Sequence, residues 1–168
     1  MQMTTPPPTR IVKDLANRKL IIHRTFLGPI DLVWRAWTEK DLLEQWWAPK
    51  PFKAVTKSYD FREGGHWLYY MLGPDGSKMF ACFNFHTIRP QRGFTGDDFF
   101  CDEKGVRTDA FPGMAWKNEF RPVPEGTEVT VDVTFNSEED LQRIIELGFE
   151  EGFTMAHGNL DELLAQHR

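Results

Sequence analysis

The sequence predicts an α+β fold, in which an antiparallel β-sheet of about six strands is covered by a long C-terminal helix. One strand-like segment and two short helical segments come first, more strand-like segments follow Pro51, and a helical pattern ends the chain. The last strand-like segment alternates apolar and polar residues, which is typical of an antiparallel sheet with one buried face. Such a sheet needs a covering layer, and the C-terminal helix is the obvious one.

The amino terminus is predicted to precede a single domain. Residues 1–11 include three consecutive prolines and no apolar stretch after a basic one, so we expect a disordered lead-in rather than a secretory signal. Residues 12–168 suit one domain, and a chain of this length buries roughly 70% of its unfolded surface. The segment KLIIHRTF, residues 19–26, is rich in β-branched and aromatic residues and is expected to form the first strand.

Two short helices are expected next. After the Gly-Pro break at residues 28–29, apolar residues recur at helical spacing from Ile30 to Trp37. Thr38 is the predicted N-cap of a second helix, which carries Trp46 and Trp47 and ends before Pro49. Adjacent helical residues point about 100° apart, so the two indoles cannot both face one apolar stripe.

The segments after Pro51 have the character of strands. They are FKAVTKSYDF, GHWLYYML, KMFACFNFHTI, MAWKNEFR and TEVTVDVTFN, and glycine- or proline-containing turns separate most of them. In the last segment, Val129, Val131, Val133 and Phe135 fall on one face. Residues 91–113 are less regular: RGFTG could add a strand, and DDFFCDEKGVRTDAFPG is expected to be a mobile loop or irregular hairpin.

The final segment predicts a helix with a defined start and an interior break. Ser137 is followed by three acidic residues, which resembles a capping box with negative charge at the positive helix end. Apolar residues then recur at helical spacing from Leu141 to Leu164. Because glycine costs about 1 kcal/mol in a helix interior, we expect a kink or break near Gly148, with the longer piece reaching about Gln166.

Composition and spacing argue against several classes of function. The net charge of −5 and the lack of a Lys/Arg cluster disfavour nucleic-acid binding. No apolar run approaches the ~20 residues of a membrane-spanning helix, and the two cysteines indicate a reducing compartment, hence the cytoplasm. The five histidines lack zinc-type spacing, and no phosphate loop, nucleophile elbow or nucleotide fingerprint occurs. We therefore predict no metal, no cofactor and no catalytic residue.

Several separated segments resemble one known superfamily. They are LIIHRTFLGPIDLVWRAWTEKDLLEQWWAPKPF, then DFREGGHW and GPDG, and finally LGFEEGFTMAHGNLDELL. Over residues 12–166 the chain resembles the SRPBCC or START-like superfamily, and within it the branch named after the activator of heat-shock-protein-90 ATPase. The resemblance implies a helix-grip fold, in which a curved antiparallel sheet wraps around the C-terminal helix and encloses an apolar cavity. One of Trp46 and Trp47 would then anchor the second helix to the sheet, and the other would face the cavity.

The apolar faces of the predicted elements supply candidates for a ligand-binding site in that cavity. The predicted ligand-binding residues are Trp47, Trp67, Tyr69, Met71, Phe83, Phe85, Trp116, Phe120, Phe149, Phe153 and Ala156. Aromatic linings with a few polar tips are typical of pockets for apolar ligands. The same aromatic residues could instead fill the interior as ordinary core.

Three functions remain open from the sequence. The leading hypothesis is the binding of an apolar or amphipathic small molecule. The second is a co-chaperone-like interaction protein, as the family name suggests, although the expected single domain argues against direct activation of a chaperone. The third is a cyclase- or hydrolase-type enzyme that would use Tyr69, Asn84 and His86, but no carboxylate at motif spacing orients a histidine. An exposed edge strand, or the aromatic pair at residues 99–100, could support a homodimer.

Overall fold

The computed structural model describes residues 5–109 and 111–167 as one antiparallel sheet packed against helices. The elements in chain order are β1 (Arg10–Asp14), β2 (Lys19–Phe26), α1 (Ile30–Thr38), α2 (Lys40–Trp46), β3 (Lys53–Asp60), β4 (His66–Leu72), β5 (Lys78–Arg89), β6 (Gly93–Phe100), β7 (Met114–Val123), β8 (Gly126–Thr134), α3 (Glu138–Glu146) and α4 (Phe149–Gln166). Neighbouring strands follow the order β1-β2-β8-β7-β6-β5-β4-β3. The predicted α+β, helix-grip architecture is confirmed.

The sheet has eight strands rather than about six, because β1 and β6 were not predicted as they occur. β1 begins at Arg10, inside the predicted lead-in, and pairs with β2 although most of its side chains are exposed. Residues 1–4 of that lead-in lie outside the described part of the chain. β6 includes DDFF, which the sequence predicts to belong to a mobile loop or irregular hairpin. Glycine and aspartate have low strand propensity, yet pairing with both β5 and β7 holds this segment in the sheet.

The core lies between one face of the sheet and α4. In β2 and β8, alternate residues are buried, and Leu20 pairs with Val133 while Ile22 pairs with Val131. These four side chains are at most 1% exposed and belong to one apolar cluster with Leu160 of α4. The alternation predicted for the last strand is therefore confirmed.

Local sequence signals correctly predicted the start of α3 and the break between α3 and α4. The hydroxyl of Ser137 accepts a hydrogen bond from the backbone N–H of Asp140 at 3.1 Å, which caps α3. Gly148 adopts a left-handed conformation with φ of 91° and separates α3 from α4. The prediction for Thr38 was wrong: Glu39 is the N-cap of α2, and the Thr38 hydroxyl donates back to the carbonyl of Trp34 at 2.8 Å. None of the helices in residues 5–109 and 111–167 has the length and apolarity needed to cross a membrane.

Candidate functional site

An apolar cavity of about 240 Å³ lies between the sheet and the junction of α3 with α4. Strands β4 to β7 provide one side, α3 and α4 the opposite side, and the chain just after α2 an edge. The lining residues are Trp47, Pro49, Tyr69, Met71, Met79, Ala81, Asp98, Phe99, Phe100, Met114, Trp116, Ile144, Leu147, Gly148, Phe149, Gly152 and Phe153. Met79 and Leu147 are 46% and 55% exposed, so the cavity reaches the surface beside them.

The break between α3 and α4 shapes the helical side of the cavity. Gly148 starts α4 immediately before Phe149, and one turn later Phe153 stacks on Phe149 with ring centroids 5.4 Å apart. Both phenyl rings contact the Trp116 indole of β7, at 6.1 and 5.6 Å between centroids. Gly152 carries no side chain on this surface, and a Cβ placed there would lie 3.7 Å from Pro49. The absence of side chains at residues 148 and 152 helps to keep this end of the space open.

The two adjacent tryptophans have different partners. Trp46 is fully buried, and its Nε1 donates to the carbonyl of Ala36 at 2.9 Å, so it ties α2 to α1. Trp47 lines the cavity, and its Nε1 donates to the Tyr69 hydroxyl of β4 at 2.9 Å. The sequence predicted that one indole would anchor α2 to the sheet and the other would face the cavity. In the structure Trp47 both lines the cavity and anchors α2 to the sheet. The prediction that a different indole would form this anchor is wrong.

Asp98 is the carboxylate of the lining. It lies in β6, opposite Phe83 of β5 and Met114 of β7. Its Oδ1 oxygen is buried without a hydrogen-bond partner among the described residues. Burial raises the pKa of Asp98 to about 7, against the effect of the Trp116 side chain, and the charge of Asp97 raises it further. The carboxyl group is therefore present in both protonation states near neutral pH.

Two further polar groups belong to the same lining. The indole Nε1 of Trp116 is buried and has no hydrogen-bond partner within residues 5–109 and 111–167. This N–H lies close enough to Asp98 to lower the pKa of its carboxyl group, but the two groups are not in good hydrogen-bond geometry. Burial, and then the charge of Asp98, raises the pKa of the Tyr69 phenol, so this group stays neutral. The cavity thus combines apolar walls with a small polar region around Asp98.

The predicted ligand-binding residues separate into a lining set and a core set. The lining set is Trp47, Tyr69, Met71, Trp116, Phe149 and Phe153. Trp67, Phe83 and Phe85 instead surround a void of only about 20 Å³ deeper in the fold. Phe120 packs on Trp34 with ring centroids 5.1 Å apart, and Ala156 is 1% exposed in the core. These strand residues share the inner face of the sheet, but their depth depends on how α1 and α4 cover it.

Sequence reasoning missed the β6 contribution to the lining. Asp98, Phe99 and Phe100 fall in the segment predicted to be a mobile loop or irregular hairpin, and Met79 and Ala81 of β5 are not among the predicted ligand-binding residues. The usable signal was the alternation of Phe94, Gly96, Asp98 and Phe100, which predicts one strand face. Glycine and aspartate in that pattern obscured it.

The polar set considered for an enzyme is not assembled. Tyr69 lines the cavity, but Asn84 and His86 are on β5 beyond its lining. The Nε2 of His86 lies 2.5 Å from an Asp97 carboxylate oxygen, and the His86 side chain is 58% exposed. Across the described ranges, no three His, Cys, Asp or Glu side chains cluster in a way that could hold a metal ion.

Residues 28–165 match the family model described as Activator of Hsp90 ATPase homolog 1-like protein. A protein from Mycobacterium smegmatis, Ms6760, is 30% identical, with a TM-score of 0.86, 94% of this chain covered and 97% of that one. A protein from Arthrobacter aurescens is 32% identical, with a TM-score of 0.88 and 94% and 91% covered. A protein from Staphylococcus epidermidis is 28% identical, with a TM-score of 0.82 and 94% of both chains covered. Among curated proteins, none matches the sequence.

Proposed function

The chain belongs to the Activator of Hsp90 ATPase homolog 1-like family, which has the SRPBCC-type ligand-binding fold, and from this premise we propose that it binds a small apolar or amphipathic molecule in the cavity beside α4. The binding residues are the six aromatic and methionine residues of the lining set, together with the β5 and β6 residues that complete the wall. Asp98 and the Tyr69 hydroxyl supply the polar contacts.

The cavity itself is the observation that supports this proposal. Packed interiors keep few voids larger than a water molecule, whereas about 240 Å³ remains between the sheet and the α3–α4 junction. Aromatic side chains do fill the deeper part of the fold, around Trp67 and Phe85, so solid core and open cavity occupy different depths. The volume is just below the roughly 300–1,000 Å³ of typical ligand pockets, which favours a small ligand.

The geometry gives less support to the enzyme and co-chaperone-like hypotheses. An enzyme built on Tyr69, Asn84 and His86 lacks a common site for these groups, as their positions on the sheet differ. A co-chaperone-like role rests on the family name, and the cavity adds nothing to it.

A substitution that fills the cavity tests the proposal. Ala81 lines the cavity from β5, and Ala81→Phe places a phenyl ring in the space. Ala115 of β7 is exposed, so Ala115→Phe makes the same chemical change outside the cavity. We expect the neutral dye N-phenyl-1-naphthylamine to bind the wild-type protein and the Ala115→Phe variant with a fluorescence increase. Its affinity for Ala81→Phe should fall by roughly tenfold or more, because apolar surface of the dye stays in water.

Native mass spectrometry of the protein purified from its own host provides a second readout. A co-purifying small molecule should appear with the wild-type protein and with Ala115→Phe and be absent from Ala81→Phe. Circular dichroism and the thermal midpoint confirm that both variants fold. Equal dye binding by all three proteins would place the dye elsewhere, and no binding by the wild-type protein would reject the proposal.

A further inference from the structure

Asp98 is a carboxyl group in a largely apolar lining, and this arrangement costs free energy. Its Oδ1 oxygen is buried with no hydrogen bond of good geometry among the described residues, although the Trp116 side chain and the Met114 backbone N–H lie close enough to lower the pKa of the carboxyl group. An unsatisfied buried polar atom costs about 1–3 kcal/mol, so proteins retain few of them. A carboxyl group in the wall of a binding cavity is satisfied when the ligand brings a donor to it.

We propose that the cavity takes a small amphipathic organic cation, an ammonium group on an aromatic or branched apolar body, with the Asp98 carboxylate as its counterion. This inference rests on the proposed function, because it specifies the ligand of the same cavity. The ammonium group donates to the Asp98 carboxylate, and the apolar body lies among the rings of Trp47, Trp116 and Phe153. Aromatic faces attract cations as well as apolar groups, so the whole ligand finds complementary surface.

The surroundings of the cavity favour positive over negative ligands. No lysine, arginine or histidine is among the lining residues. The first turn of α4, which begins at the cavity, carries Glu150 and Glu151, and these offset the positive end of the helix. The Glu151 carboxylate lies 3.8 Å from the position of a Cβ on Gly148, and Glu150 pairs with Lys13 at 3.0 Å. The net charge of −5 also raises the local concentration of cations.

None of the other titratable groups that the structure describes near Asp98 is placed to act as the counterion of a bound cation. They are Tyr69, Cys82, His86, Asp97, Cys101, Arg107 and Arg143. Asp97 is paired with His86 on β5. The guanidinium groups of Arg107 and Arg143 lie over phenylalanine rings at 5.4 and 5.5 Å, and neither residue is part of the lining. Burial raises the pKa of Cys82 to about 11, so this thiol carries no charge at neutral pH.

The choice of a cation has a pH consequence that a neutral ligand lacks. An ammonium group binds the ionised carboxylate, and protons compete with it for Asp98, whose pKa is about 7 in the free protein. Affinity for a cation is therefore nearly full at about pH 8, about half of that at pH 7, and falls by up to about tenfold per pH unit at lower pH. A primary ammonium stays charged over this range, as lysine does.

Probes that share a phenyl group and differ in charge test the inference. 2-Phenylethylammonium, 2-phenylethanol and propylbenzene have the same heavy-atom framework, and 3-phenylpropanoate supplies an anion. Displacement of N-phenyl-1-naphthylamine at pH 8 measures their affinities. We expect the ammonium to bind roughly 10- to 100-fold more tightly than propylbenzene, as charged hydrogen bonds contribute about 1.5–3 kcal/mol.

Asp98→Asn and Asp97→Asn form a matched pair of variants, since the two carboxylates are adjacent in β6 and only Asp98 lines the cavity. Asp98→Asn should abolish the preference for the ammonium, measured as the ratio of ammonium affinity to propylbenzene affinity in the same variant. Asp97→Asn should keep the preference. The wild-type pH profile is independent of any variant: ammonium affinity should fall from pH 8 to pH 6 while propylbenzene affinity stays level.

Each remaining outcome overturns the inference. Equal or tighter binding of 2-phenylethanol or propylbenzene shows that Asp98 does not select a cation, and tighter binding of 3-phenylpropanoate shows that the positive end of α4 decides. Dye binding with no ammonium displacement rejects the cation and leaves the proposed function standing. If the dye itself does not bind, both proposals fail together.

Discussion

Replacing Asp98 with asparagine should change how the stability of the protein depends on pH. The asparagine amide would keep the shape of the side chain and remove its titration. In the folded protein, burial raises the pKa of Asp98 to about 7, whereas in the unfolded chain it is about 3.9. Between these values the folded state holds a proton that the unfolded state has lost. The free energy of unfolding contributed by this group is therefore highest below pH 4 and falls as pH rises toward 7.

The magnitude follows from the separation of the two pKa values. About three pKa units correspond to roughly 4 kcal/mol, because each unit is 1.36 kcal/mol. This loss is spread over pH 4 to pH 8 and is a large part of the 5–15 kcal/mol by which domains are usually stable. The free energy of unfolding of Asp98→Asn minus that of the wild-type protein should therefore be up to roughly 4 kcal/mol larger at pH 8 than at pH 4.

Urea unfolding followed by circular dichroism at one-unit intervals from pH 4 to pH 8 measures this difference. Subtracting the wild-type profile from that of Asp98→Asn cancels the titrating groups that do not interact with Asp98. Asp97→Asn is the control, since its side chain is 34% exposed and pairs with His86, so its profile should differ from the wild type by less than about 1 kcal/mol.

Parallel profiles for the wild-type protein and Asp98→Asn would refute the reasoning. They would mean that the Asp98 carboxyl is solvated in the folded protein and titrates as it does in the unfolded chain. A profile that diverges in the opposite direction, with Asp98→Asn losing stability at pH 8, would mean that a protein group already stabilises the carboxylate.

Two further predictions concern the packing of the sheet and α4. Gly96→Ala should lower the free energy of unfolding by about 1–3 kcal/mol in urea titrations, because its Cβ would lie 2.2 Å from the Asn84 carbonyl and 2.4 Å from the Phe83 ring; an unchanged midpoint would contradict this packing. Burial, with Arg24 nearby, lowers the pKa of His157 to about 3, so the unfolded state takes up a proton near pH 6.5 while the folded state does not. Stability should fall by roughly 4 kcal/mol or more as pH drops from 6.5 to 3, and His157→Asn should remove this part of the slope; a slope equal to that of the wild type would show that His157 is accessible to solvent.

Features that depend on neighbouring residues were predicted well from the sequence. The alternation from Val129 to Phe135 reports a strand with one buried face, since strand geometry turns successive side chains to opposite sides. The Ser137 cap and the break at Gly148 are equally local, because a cap hydrogen bond and a left-handed glycine involve only adjacent turns. The family resemblance extended these local patterns to the whole helix-grip fold.

Features that depend on distant pairing were predicted poorly. β1 has no apolar alternation and forms because β2 offers an edge to pair with. β6 contains Gly96 and two aspartates and is a strand because β5 and β7 lie on either side. Thr38 matched the residue preference for an N-cap, but a hydrogen bond to the preceding turn took its hydroxyl.

The sequence by itself determined the α+β class, the order of most elements and the aromatic character of the inner face, because these follow from side-chain periodicity and chain-breaking residues. Only the tertiary structure decided which aromatics are solid core and which border open space. Trp67 and Trp116 look alike in the sequence, yet only Trp116 borders the cavity, while Trp67 lies by the small void beneath it. The tertiary structure also placed Asp98 in the apolar wall. Depth and cavity volume are set by how sheet and helices meet, and no local pattern along the chain encodes that distance.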